Sequence, residues 1–431
     1  MMKVSIIGTG YAGLATGVGL ASKGHNVICM DIDENRVDKI KAGVSPIYEP
    51  GIEDAMKAAI REDRLDATTK LDYAMKNSDV SFICVPTPPK KDGSIDLKFI
   101  EQVSKEMGRV LKDLEGYHVI VVKSTVVPDT TERVVIPNLE EFSGKRAGED
   151  FGAGMVPEFL REGSALKDIL EPDRIVIGEL DRRSGDTLQE LHYVFNAPII
   201  RTQLKVAELV KYASNAFLAT KISFTNEIGN IAKKLGIDAY EVMKCVGLDH
   251  RISPHFLRAG IGFGGSCFPK DVLALARKGS LMGYEPRLLE EAVKLNLKQP
   301  LRLIDILNKR AGSLKGREIA ILGLAFKPET DDIRESPVIR IVQELVRYGA
   351  KLRAYDPKAT ENFRKLFPKI TYCTSVRDAV RGADACIFLT EWPEFRELTD
   401  QDFSGMRERI IIEGRRALNP NKVSGFEGVC W

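Results

Sequence analysis

The turn at residues 8–13 restricts this chain's fold more than any other stretch. An apolar run at residues 4–7 leads into Gly8-Thr-Gly10-Tyr-Ala-Gly13, and a helix of small residues follows over 14–23 and stops at Gly24. A second apolar strand, 27–30, ends on Asp31. Glycines spaced GxGxxG between a strand and a helix mark the first turn of a parallel βαβ unit. Such a unit calls for a mostly parallel sheet with helices on both faces. The three glycines do different things. Gly8 makes the tight turn, Gly10 lets the backbone reach a pyrophosphate, and Gly13 lets helix and sheet close together. The helix N-terminus turns free N–H groups towards the phosphates. Asp31 suits a ribose 2′-hydroxyl and repels a 2′-phosphate, so the expected cofactor is NAD rather than NADP.

The alternation of strand and helix continues. Residues 79–86 (DVSFICVP) read as a buried strand and run into a turn-rich segment beginning at Thr87 and Pro88; 119–123 read as the next strand and end at Ser124 and Thr125. Ligands of open parallel sheets lie at this carboxyl edge. By chemistry alone, Thr125 is a strand-end hydroxyl, as often a cap as a ligand. In residues 155–163 (MVPEFLREG), Pro157 is suited to open a helix. That helix would put Glu158 and Glu162 one turn apart on one face. A carboxylate there could accept a proton; two solvated surface acids are the alternative.

Residues 204–235 read as one long helix, interrupted by no proline and only by Gly229. Its apolar spacing suits a bundle or a domain-joining element. Lys211 and Asn215 lie at i,i+4 and point the same way. Helical patterns return over 272–283 and 288–312, and from residue 318 the βαβ pattern restarts. Strands are expected there at 319–322, 351–355, 385–389 and 410–412, with a helix at 337–348. The fold class is therefore α/β: two doubly wound Rossmann-like domains, 1–200 and 313–431, joined by a central helical domain, 201–312.

Between the helical patterns lies GFGGSCFPKD, residues 262–271. Its glycines open backbone conformations closed to other residues, and Pro269 fixes the chain just beyond. Most free cysteines are buried small apolar residues. A core position needs neither the glycines nor Lys270 and Asp271, so Cys267 reads as a presented, reactive thiol.

Bulk properties exclude several classes of function. Lysine and arginine number 63 against 61 acids, which argues against a nucleic-acid coat or a polybasic membrane anchor. No apolar run approaches the roughly 20 residues needed to span a bilayer. The chain opens directly on a strand, so no secretory leader is expected. Seven scattered cysteines without a CxxC suggest neither a disulfide framework nor a zinc site, and no metal is expected. A reducing cytoplasm follows.

The string GFGGSCFPKD resembles the cysteine motif of the UDP-glucose 6-dehydrogenases, within the UDP-glucose/GDP-mannose dehydrogenase family. PEFLREG, KYASNAF and AFKPETDDIRES match the same family from near the first strand to the last third of the chain. The resemblance implies a four-electron oxidation of UDP-glucose to UDP-glucuronate with two NAD, through a thiohemiacetal and a thioester on Cys267. It implies catalytic roles for Lys211, Asn215, Asp271, Glu158 and Thr125 beside that cysteine. Cofactor contacts are implied for Gly8, Gly10, Tyr11, Ala12, Gly13, Asp31 and Arg36, for Val85, Thr87, Pro88, Ser124 and Thr125, and for Glu162, Lys270 and Arg334. Substrate contacts are implied for Glu158, Phe159, Leu160, Lys211, Asn215, Phe263, Gly264, Phe326, Lys327 and Arg415. Arg251 matches an arginine that reaches a neighbouring subunit's substrate, which implies a homodimer or higher homo-oligomer. Val156 and Ser253 depart from the family's usual residues. GDP-mannose and UDP-N-acetylmannosamine remain alternative substrates within the family. A two-electron 3-hydroxyacid-type dehydrogenase would explain the first 300 residues but would need neither Cys267 nor the last domain.

Overall fold

The computed structural model describes all residues, Met1–Trp431. They form two compact units, Met1–Ser214 and Asn215–Trp431. The first is built on an eight-stranded sheet of order β3-β2-β1-β4-β5-β6-β7-β8. Its strands are β1 (Lys3–Ile7), β2 (Asn26–Met30), β3 (Leu65–Thr68), β4 (Val80–Ile83), β5 (His118–Val122), β6 (Phe151–Met155), β7 (Ile175–Glu179) and β8 (Ile199–Gln203). Strands β1 to β6 pair in parallel, β7 runs against β6, and β8 follows β7 in parallel. Every residue of β4 and β5 is buried, as expected of parallel strands covered on both faces. Helix α1 (Tyr11–Ser22) is buried along nearly its whole length. A polar thread runs across this apolar sheet. The Ser5 and Ser81 hydroxyls meet at 2.6 Å, and Ser81 lies 2.7 Å from Nε2 of His118. Burial pushes His118 down to about 4, so it is held neutral.

The second unit carries a six-stranded, wholly parallel sheet of order β11-β10-β9-β12-β13-β14. Its strands are β9 (Glu318–Leu322), β10 (Lys351–Tyr355), β11 (Thr371–Tyr372), β12 (Ala385–Phe388), β13 (Ile410–Glu413) and β14 (Phe426–Gly428). The long helix runs Leu204–Leu235, as its pattern predicts. β14 is an addition: the last residues, which carry no readable signature, extend the sheet. Trp431 packs edge-on against Tyr240, with ring centroids 5.1 Å apart, and Cys430 fits under Gly229.

Three expectations change. The chain after Pro157 forms no helix; it runs as loop and turn until Ala165, so Glu158 and Glu162 do not share a helical face. The carboxylate of Glu158 accepts the backbone N–H of Leu160 at 2.7 Å, a local bond that competes with a helical turn. The helix expected from residue 272 begins at Phe268, with Pro269 in its first turn, where proline loses no hydrogen bond. The expected helix 288–312 is two, Arg287–Lys298 and Leu301–Ala311, broken at Pro300.

Candidate active site

In the first unit, the βα turn has the geometry that a dinucleotide requires. Gly8 sits at φ +99°, and a Cβ there would lie 2.8 Å from the Cys84 carbonyl oxygen. A Cβ on Gly13 would lie 1.9 Å from the Gly8 carbonyl oxygen, so helix and strand meet only because it is glycine. At Gly10 nothing lies within 4 Å of the missing Cβ, and no side chain caps the helix that starts at Tyr11 and Ala12. An open turn below an uncapped helix N-terminus fits a pyrophosphate. Asp31 is oriented by its neighbours: Oδ2 accepts from the Thr9 N–H at 2.8 Å and the Thr9 hydroxyl at 2.6 Å, and Oδ1 from the Asp33 N–H at 3.1 Å. A carboxylate has room for about four donors, which leaves capacity for a ribose hydroxyl. The Arg36 guanidinium donates to the Thr9 carbonyl at 3.1 Å and braces the same turn.

The neighbouring strand ends are tied to one another. The Ser124 hydroxyl donates to the Val85 carbonyl at 2.7 Å, and the Thr87 hydroxyl to the Thr125 carbonyl at 2.9 Å. The backbone N–H of Asp96 closes the turn-rich segment on the Pro88 carbonyl at 2.8 Å. Val85, Thr87, Pro88, Ser124 and Thr125 thus line one edge beside the glycine turn.

Glu158 and Lys211 form a buried ion pair, 2.9 Å apart, with exposures of only 9% and 3%. Burial pushes the Glu158 carboxyl up, but Lys211, the Leu160 N–H and Lys123 outweigh it and hold the group below its ordinary range. Phe159 next door carries the Arg174 guanidinium over its ring at 4.1 Å. Glu162 lies in the turn that follows, half-buried. Lys123, just after β5, is a titratable group that sequence reasoning missed; it reads there as the last residue of an apolar strand, yet its side chain is buried.

In the second unit, Cys267 is half-buried and is the N-cap residue of the helix Phe268–Leu281. Its sulfur lies 3.6 Å from the Ser266 hydroxyl. Asp271, one turn along that helix, is 1% exposed; it accepts from the Asn215 amide at 2.6 Å and from the Lys270 ammonium at 2.5 Å. Asn296 grips the chain before the cysteine, bonding both the N–H and the carbonyl of Phe263. The loop is further fastened to the AFKPETDDIRES segment. The Gly265 N–H donates to the Arg334 carbonyl at 2.9 Å. A Cβ on Gly264 would lie 2.5 Å from the Glu335 carbonyl oxygen, and one on Gly265 would lie 2.9 Å from the Phe326 ring. Lys327 hangs beside that ring, 5.6 Å from its centroid. The Arg334 side chain is held on Asp332 by two-pronged bonds, and Arg415 donates to the Gly262 carbonyl. Arg251 stands apart from this cluster: it is exposed and folds back onto Asp249 at 2.6 Å.

The other thiols differ in setting. Burial pushes Cys29 and Cys84 up to about 12 and Cys430 up to about 11, and it raises Cys386 beyond that. Such thiols stay protonated and inert. Only Cys245, which is exposed, and Cys267 have appreciable contact with solvent.

Comparison with known proteins agrees over the whole chain. Sequence profiles of the UDP-glucose/GDP-mannose dehydrogenase family match its NAD binding domain at residues 2–196, its central domain at 205–298 and its UDP binding domain at 320–420. A UDP-glucose 6-dehydrogenase of Haloferax volcanii is 46% identical, over 99% of this chain and all of its own. A GDP-mannose 6-dehydrogenase of Pseudomonas putida is 41% identical, over the full length of both. The solved UDP-glucose dehydrogenase of the hyperthermophilic archaeon Pyrobaculum islandicum superposes with a TM-score of 0.95 at 40% identity, covering 100% of this chain and 98% of that one. The fingerprint, the cysteine loop and these matches lead to one conclusion: the chain belongs to the UDP-glucose/GDP-mannose dehydrogenase family and carries that family's NAD binding domain.

Proposed function

We propose that this protein oxidises UDP-glucose at C6 to UDP-glucuronate, and that Cys267 carries the aldehyde-level intermediate. Full-length similarity to UDP-glucose 6-dehydrogenases supports the activity. The observation that carries the cysteine chemistry is the setting of Cys267: solvent-touched, at a helix N-terminus, on a loop bound at both ends. The peptide dipole there favours the thiolate. When bound, NAD accepts a hydride from the substrate carbon.

The protein side of the reaction divides into roles. Glu158 and Lys211 steady the hydroxyl and manage its proton. An aldehyde has no second hydride to give until something adds to it, and the Cys267 thiolate adds to its carbon. The cation of Lys211 and the amide of Asn215 offset charge on the oxygen. Asp271 orients the water that hydrolyses the thioester, and Thr125 holds the water or hydroxyl beside it. Among functional parts, residues 1–200 take NAD, 201–312 supply the cysteine and the subunit contact, and 313–431 take the UDP through Phe326, Lys327 and Arg415 and give the cofactor a contact from Arg334.

The test is a panel of nucleotide sugars followed by NADH absorbance. Two NADH per UDP-glucose is the expected result; one per sugar supports a two-electron dehydrogenase instead. Turnover of GDP-mannose alone would overturn the substrate, a reading that the relatives acting on GDP-mannose keep in view. Cys267→Ala should lower kcat by on the order of 1000-fold or more.

A homodimer is part of this proposal. Phe217, Phe224 and Ile231 are exposed at 68%, 52% and 51% along one stripe of the long helix, and a repeat of seven keeps them on one face. Light scattering should give a dimer mass, and Phe224→Asp should shift it towards the monomer. No helix of the protein is long and apolar enough to cross a membrane. A thiol that must stay reduced fits the cytoplasm.

A further inference from the structure

Lys123 follows β5 at its carboxyl end, and 6% of it is exposed. It lines a cavity of about 300 Å³ inside the first unit. Glu158, Thr16 and His192 border the same space, as do Arg161, Lys167 and Asp173, all three exposed, so the cavity reaches solvent. Lys123 sits among Cys84, Glu158 and Lys211 and acts on them through space, without a hydrogen bond. The Cys84 thiol, pushed up by burial, adds no charge. His192 adds none either: burial first, then Lys123, pushes it down to about 3, and its Nδ1 lies 2.8 Å from the Leu188 carbonyl oxygen.

The charge balance follows. Lys211 is matched by Glu158 at 2.9 Å. Lys123 is a second buried amine facing the same carboxylate, and burial makes a charge there costly. Burial favours its neutral amine. An amine that holds its proton less tightly than usual, beside the Glu158–Lys211 pair and in a cavity open to water, can take up a proton and let it go.

We propose that Lys123 is a relay residue, through which the proton released at the Glu158–Lys211 pair leaves for solvent by way of this cavity. Each oxidation sends a hydride to NAD and one proton from a hydroxyl to the pair. In its neutral form the Lys123 amine takes that proton through water, becomes an ammonium, and gives the proton to bulk water. No electrons pass through the lysine. The inference rests on the oxidation proposed above.

The test follows NADH absorbance and a pH-indicator dye together in a stopped-flow instrument, with UDP-glucose and NAD. In the wild type the proton should appear with NADH. Lys123→Met should lower kcat by about tenfold or more with both KM values nearly unchanged, and proton release should lag behind NADH. Lys123→Arg should be as impaired, because a guanidinium does not give up its proton at working pH. Methylamine, admitted through the cavity, should restore part of the rate of Lys123→Ala. Wild-type kcat with coincident signals in either of the first two variants overturns the relay. So does full activity in Lys123→Arg alone, which would show that charge suffices. Should the Met variant fail to fold, the Arg variant and the methylamine rescue still decide. If the wild type reduces no NAD with UDP-glucose, it is the substrate reading that fails, and the comparison runs on the sugar that does turn over.

Discussion

Glu158 shows how much one side chain can settle. One of its oxygens meets Lys211 at 2.9 Å and the other holds the Leu160 N–H at 2.7 Å. Its carboxyl is held below the ordinary range despite burial. The stability it adds is therefore present above the ordinary carboxylate pKa and is lost as pH falls through the lowered folded value. Glu158→Gln should cost about 3–5 kcal/mol at neutral pH, because it takes the carboxylate charge out of a buried ion pair. The same variant should flatten the loss of stability in acid; denaturant melts at several pH values check both. Cys267 offers a second prediction at this scale. In a Cys245→Ser background, iodoacetamide should label Cys267 alone under native conditions. Peptide mapping by mass spectrometry gives the site.

At the scale of elements, legibility in the sequence depends on whether the signal is local. The glycine turn and the helix Leu204–Leu235 are readable because the spacing within each element states the outcome. The loop after Pro157 is not: a proline that could open a helix is overruled by a glutamate turned inward to a lysine 53 positions later. The short strands β3, β11 and β14 escape notice because so few residues show no period, and their partners lie elsewhere in the chain. Lys123 escapes for a similar reason, since only the fold surrounds it. The Ser5–Ser81–His118 thread carries the element-scale prediction. His118 falls from an ordinary 6.5 to about 4 on folding. Its contribution is complete above pH 6.5 and vanishes as pH drops through about 4. The thermal midpoint should decline across that window, and less steeply in His118→Asn. Calorimetry at matched ionic strength measures the difference.

Across the whole molecule, a near-even charge balance leaves anion recognition to local groups, and the fold supplies them at strand ends and loops. The final tryptophan contributes to the stability of the second unit. It stacks edge-on with Tyr240, and its indole N–H lies 3.3 Å from Glu413. Trp431→Ala should lower the denaturation midpoint by the equivalent of about 1–3 kcal/mol, measured by denaturant titration. The fastening of the cysteine loop to the AFKPETDDIRES segment has a practical consequence. Gly264 and Gly265 leave no spare room between the sulfur's own backbone and Phe326, Arg334 and Glu335. Anyone redesigning that segment will also displace the loop that carries Cys267, so under the proposed roles selectivity and turnover must be evolved together rather than one after the other.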